Sequence, residues 1–205
     1  RMLYTASIYE PDTGGFFRSS DLGASWERVR GAGLPGEENI RFLTASPDKP
    51  SSVLAASSRV LYHSSDAGQN WKIATTLATS QNFSALLALP GNVVLRGLES
   101  GLSRSSDGGV TWTSISLAPR AARVHLLQSS GAAGTAAITD AGVFVGNESG
   151  LSWTSCGSLP VGSFVYGVAI ESSGDIALAA TSHGLVGSKD RCKSWGWVPA
   201  GGEVG

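Results

Sequence analysis

Five tryptophans recur along this chain at nearly constant spacing: Trp26, Trp71, Trp112, Trp153 and Trp195, separated by 45, 41, 41 and 42 residues. A period of 40–45 residues is the length of one four-stranded propeller blade. A unit of that size cannot bury its apolar faces alone, so each must stack on its neighbours. The period therefore predicts an all-β propeller of about five four-stranded blades, with repeats at about 1–37, 38–79, 80–120, 121–160 and 161–205 in a single domain.

The residues before each tryptophan repeat as well. Ser19, Asp21 and Gly23 precede Trp26; Ser64, Asp66 and Gly68 precede Trp71; Ser105, Asp107 and Gly109 precede Trp112. In such a turn the carboxylate accepts backbone N–H bonds, glycine supplies a left-handed conformation, the hydroxyls satisfy further backbone groups, and tryptophan covers the turn with apolar area. These segments resemble the Asp-box, Ser-x-Asp-x-Gly-x-Thr-Trp, of the BNR-repeat propellers, over almost the whole chain. The resemblance implies a structural role for the boxes, away from any active face. The fourth copy, ending at Trp153, carries Gly146 and Glu148 in place of Ser and Asp. The fifth keeps Asp190 before Trp195 but has Cys192 in place of glycine. Looser turns are expected in both, because a side chain adopts the glycine conformation only at a cost.

Between the boxes each repeat parses as four short strands, A to D, with A at Asn39–Ser46 in the second repeat, Phe83–Leu89 in the third, Arg123–Gln128 in the fourth and Phe164–Ile170 in the fifth. Nearly continuous apolar runs such as Ser84–Leu89 suit strands buried on both faces. No segment shows a helical period with caps, so no helix is expected. The first repeat lacks an A strand, and an Arg stands before Met2. The chain is thus expected either to close as a five-bladed ring or to be part of a six- or seven-bladed one.

Composition narrows the function classes. With 41% hydrophobic residues, 15% charged residues and a net charge of −1, the chain is globular and has no general attraction for nucleic acid. No apolar run is long enough to span a membrane as a helix. Neither a metal site nor a cofactor is expected. Cys156 and Cys192 do not make a disulfide scaffold; a bridge between them is possible, but two unpaired small residues is the simpler reading.

In a propeller the C-to-D turns lie on one face, and the D-to-A and B-to-C connections on the other, where ligands are expected. The position near the start of each A strand carries Arg41, Ser84, His125 and Tyr166, which diverge while their neighbours stay apolar. The B-to-C connections add Glu10, Asp12, Ser58, Arg59, Glu99, Asp140 and His183. Arg41, Ser84, His125, Tyr166, Arg59 and His183 are therefore the candidate binding residues. Glu99 and Asp140 are the candidate acid–base pair if the chain is a glycosidase, although both also read as hairpin-turn residues.

The repeats resemble the photosystem II stability and assembly factor type of propeller, which implies a non-catalytic platform for a protein or glycan partner; the chain is expected to be a monomer unless its blades are completed by another chain, and to work outside the cytoplasm, periplasmic or secreted. The alternative implied by the same boxes is a sialidase-like glycoside hydrolase. Against it, the Arg-Ile-Pro segment of sialidases is absent, and Arg41, Arg59 and Arg96, the arginines available for a carboxylate-binding triad, occupy different repeat positions.

Overall fold

The computed structural model describes residues 2–7, 15–29, 33–34, 40–117, 122–130, 134–160, 164–171 and 173–199. Glu10, Asp12 and the tail from 200 onward lie outside the described residues. All regular structure among them is strand. The first sheet has three strands, β1 (Leu3–Ser7), β2 (Gly15–Ser19) and β3 (Glu27–Val29). Four sheets of four follow: β4 (Phe42–Ala45), β5 (Val53–Ala56), β6 (Val60–Ser64) and β7 (Lys72–Thr76); β8 (Phe83–Ala88), β9 (Val94–Leu98), β10 (Gly101–Ser105) and β11 (Thr113–Ile115); β12 (Val124–Ser129), β13 (Thr135–Thr139), β14 (Gly142–Gly146) and β15 (Trp153–Ser155); β16 (Val165–Ile170), β17 (Ala177–Thr181), β18 (Gly184–Ser188) and β19 (Gly196–Trp197). Each is an antiparallel meander in chain order, and successive innermost strands touch from β4 to β8, β8 to β12 and β12 to β16. These are the blades of a propeller. The A strand is missing from the first blade among the described residues, and A in the second blade is shorter than expected, leaving Arg41 outside it.

Four apolar clusters lie between consecutive blades. Phe16, Val53, Tyr62 and Trp71 join the first to the second; Leu54, Leu61, Phe83 and Val94 the second to the third; Leu95, Leu102, Val124 and Phe144 the third to the fourth; Ile138, Val143, Val165 and Val186 the fourth to the fifth. Burying one such side chain is worth about 1.5–3 kcal/mol, so these interfaces hold the array. Both faces of a middle strand are used, which is why β5 and β13 are buried at every position.

The turns obey their chemistry. Ser105 Oγ donates to Asp107 Oδ1 at 2.7 Å and accepts Gly109 N–H at 2.9 Å, while Asp107 accepts Thr111 N–H at 2.9 Å and the Thr111 hydroxyl at 2.6 Å. Gly109 has φ +96°, and a Cβ there would fall 2.5 Å from Leu61 Cδ2 of the preceding blade, so glycine serves both the turn and the blade contact. Trp112 Nε1 donates to Gly109 O at 3.0 Å, and Trp71 and Trp153 make the same bond to Gly68 and Gly150. These bonds hold Asp21, Asp66, Asp107 and Asp190 down at about 2, with the Ser25, Asn70 and Ser194 side chains the largest cause for Asp21, Asp66 and Asp190, and Ser105 for Asp107.

Three expectations about these turns are corrected. The fourth is not loose: Asn147, one position before Glu148, accepts Leu151 N–H at 2.9 Å and Ser152 N–H at 3.3 Å in place of the missing carboxylate. The fifth is not loose either, because Asp190 accepts Ser194 N–H at 3.0 Å and Cys192 takes φ +55°. That conformation is held from outside the turn: Cys156 and Cys192 are not unpaired but form a disulfide, with Cα atoms 5.0 Å apart, which ties the fourth blade to the fifth. Finally, the indoles are not all tucked away. Each later tryptophan packs on the preceding blade, as Trp71 does edge-on to Phe16 at 5.6 Å, whereas Trp26, in the first blade, is 44% exposed.

Candidate functional site at the rim of the fourth and fifth blades

The innermost strands of the third, fourth and fifth blades share an irregularity. Their pairing with β9, β13 and β17 shifts register between Phe83 and Ala85, between Val124 and Leu126, and between Val165 and Gly167. The residue inside each shift is Ser84, His125 or Tyr166. A bulge leaves one residue outside the ladder and re-aims its side chain. Three of the four divergent positions seen in the sequence are therefore bulge positions, freed from sheet packing by the backbone. Arg41 has no such bulge; it is exposed, and its N–H bonds Ala56 O at 2.8 Å.

His125 and Tyr166 meet at the junction of the last two blades. His125 Nε2 hydrogen-bonds Asp140 Oδ1, which comes from the β13–β14 hairpin of the same blade. The His125 ring lies 5.7 Å from that of Phe164, which lies 5.4 Å from that of Tyr166. Phe164 and Tyr166 are 52% and 63% exposed, two neighbouring aromatic faces left open to solvent. Phe164 is fixed from behind by Ser182, whose Oγ accepts the Phe164 N–H at 3.0 Å while its own N–H reaches Phe164 O at 2.8 Å. His125, Asp140, Phe164 and the segment Ser155–Pro160 all line a cleft of about 450 Å³.

The remaining candidates sit apart from this cleft or are engaged elsewhere. Glu99, on the β9–β10 hairpin, faces Arg123 at 3.9 Å, so each candidate carboxylate has its own basic neighbour. His183 pairs through Nδ1 with Ser182 Oγ at 3.0 Å, and Arg59 is exposed on the β5–β6 hairpin. The Ser84 hydroxyl is buried without a hydrogen-bond partner among the described residues. Arg96 stacks over the Trp112 ring at 4.2 Å, and burial pulls it down to about 10. Phe164 lies outside the divergent positions of the sequence, two residues before Tyr166. The signal was available: an aromatic stands where the fourth repeat has polar Arg123.

No family model matches the chain, and no curated protein matches it. Solved structures do. An ancestral GH74 enzyme superposes with a TM-score of 0.70 at 15% identity, over 96% of this chain and 29% of the enzyme. The GH74 xyloglucanase of Xanthomonas campestris gives 0.68 at 15% identity, over 95% of this chain and 35% of that one. YCF48 bound to a D1 peptide gives 0.65 at 16% identity, over 88% of this chain and 60% of that one. All are β-propellers, and at these identities they establish the fold alone. The chain spans about a third of the length of the GH74 structures it matches. No helix among the described residues is long and apolar enough to cross a membrane.

Proposed function

We propose that the protein is a non-catalytic recognition module that takes a protein segment or a glycan at the rim of its fourth and fifth blades, beside the β13–β14 hairpin. One observation carries this reading: Phe164 and Tyr166 present adjoining exposed rings beside the His125–Asp140 pair at the edge of a cleft. Exposed aromatic surface next to a hydrogen-bonding pair offers a ligand apolar contact and orientation together. The peptide-bound YCF48 structure supports the protein arm of the reading, and the GH74 likeness the glycan arm.

The engagement of Glu99 by Arg123 and of Asp140 by His125 favours binding over acid–base catalysis, which needs the two carboxyls poised across one bond. The working site comprises His125, Asp140, Phe164 and Tyr166; Ser84, Arg41, Arg59 and His183 lie apart from it. The inter-blade disulfide supports an extracytoplasmic location, where such bonds persist. The test is a peptide array and a glycan array probed with the wild type and with Tyr166→Ala and Phe164→Ala. Binding on one array, lost in both variants, identifies the partner class. Glycoside hydrolysis abolished by Glu99→Gln or Asp140→Asn would replace this reading with the enzymatic one.

A further inference from the structure

Among the described residues, the first turn, whose Trp26 is 44% exposed, and the fifth lack a hydrogen bond that the other three make. In the second, third and fourth turns the tryptophan indole donates to the carbonyl three residues earlier, at 2.8, 3.0 and 3.0 Å. In the fifth that carbonyl belongs to Cys192. It receives the N–H of Gly157 instead, at 2.6 Å, and the buried Trp195 Nε1 has no partner among the described residues. An unpaired buried N–H costs about 1–3 kcal/mol, so something outside the turn must enforce the exchange. The Cys156–Cys192 bridge does so: it sets Gly157 so close to the turn that a Cβ on it would fall 1.7 Å from Lys193 O. Cys156 and Gly157 also line the cleft shared with His125, Asp140 and Phe164.

We infer that the disulfide is a redox latch on the cleft wall, holding residues 155–160 closed against the fifth blade when oxidised and releasing them when reduced. One carbonyl serves two donors in turn. Closed, Cys192 O accepts Gly157 N–H; open, it accepts the Trp195 indole, as in the second, third and fourth turns. A carbonyl oxygen has two lone pairs, so it is the placement imposed by the bridge, not the Gly157 bond alone, that keeps the indole off it, and releasing that placement gives the segment the second arrangement a switch requires. The reaction is a thiol–disulfide exchange. A small dithiol attacks the bridge, two electrons and two protons pass to it, Cys156 and Cys192 become thiols, and the dithiol leaves as its own disulfide. Both cysteines are buried in the core between the blades, so the exchange proceeds through the opening of the segment that they tie down. This inference holds whichever ligand the cleft takes.

The experiment uses the full chain with its tryptophans labelled with nitrogen-15, before and after dithiothreitol, with reduction verified by thiol alkylation and mass. The Trp195 indole proton should move toward the shifts of Trp71, Trp112 and Trp153, and the Gly157 amide should exchange at least about tenfold faster, as expected for a local opening, while the first three blades stay unchanged. The Cys156→Ser, Cys192→Ser double variant should reproduce the reduced spectrum without reductant. Gly157→Ala provides a second route: its methyl clashes with Lys193 O, so the indole should shift although the bridge is intact. An unmoved Trp195 indole and a still-protected Gly157 amide after full reduction overturn the latch. So does wholesale unfolding of the last two blades in both the reduced protein and Gly157→Ala.

Discussion

The fourth and fifth blades are built from the same repeat yet live in different surroundings. In the fourth, Ala136, Ile138 and Val143 point toward the next blade and are buried against it. The positions at the same distance from the tryptophan in the fifth blade are Leu178, Ala180 and Leu185. There Ala180 is exposed, Leu178 is half-buried, and Leu185 is 40% exposed where Val143 is 1%. The strands and their register match, so the difference comes wholly from the neighbour and not from the blade. Among the described residues the fifth blade packs against the fourth, and the Cys156–Cys192 bridge falls at that interface. A stacked unit draws its stability from its interfaces, and a covalent bridge across one of them adds to it.

The comparison can be broken in several ways. Phe144→Ala, in the doubly covered fourth blade, should cost about 3–5 kcal/mol in urea unfolding, the usual range for emptying a buried aromatic site. Replacing both cysteines by serine should cost about 2–4 kcal/mol, concentrated in the fifth blade and visible as loss of amide protection there before the other blades. If protection falls uniformly instead, the fifth blade is not the weaker partner. The turn aspartates give a smaller, pH-dependent effect. Their folded value of about 2 lies below the ordinary carboxylate value of about 3.9, so their contribution is fully present above about pH 4 and is lost as pH falls toward 2. Asp107→Asn should therefore flatten part of the acid limb of a stability–pH curve while leaving the neutral-to-alkaline limb unchanged in shape. Smallest of all, Leu185→Ala should cost under about 1 kcal/mol, since little area returns to water. A penalty like that of Phe144→Ala would show that the outer face of the fifth blade is covered in solution.

Much of the fold was legible because its determinants are local. Ser, Asp and Gly at fixed offsets from a tryptophan specify a turn by hydrogen bonds within eight residues, and their recurrence specifies a stack. Less of the site was legible. Divergence at Ser84, His125 and Tyr166 was visible in the sequence, but its cause was not, because a bulge is a relation between two strands. Asn147 escaped notice because it lies one position off the repeat register, and Phe164 because its partner, His125, comes from another blade.

The sequence by itself determined the repeating unit, its antiparallel meander and the chemistry of its turns, since each depends on residues within one period. Only the tertiary structure decided which blade faces are covered, that Cys156 and Cys192 are joined, and that His125, Asp140, Phe164 and Tyr166 share one rim. Those facts are contacts between blades, and they depend on the rotation from one blade to the next, a property of packing that no single repeat encodes.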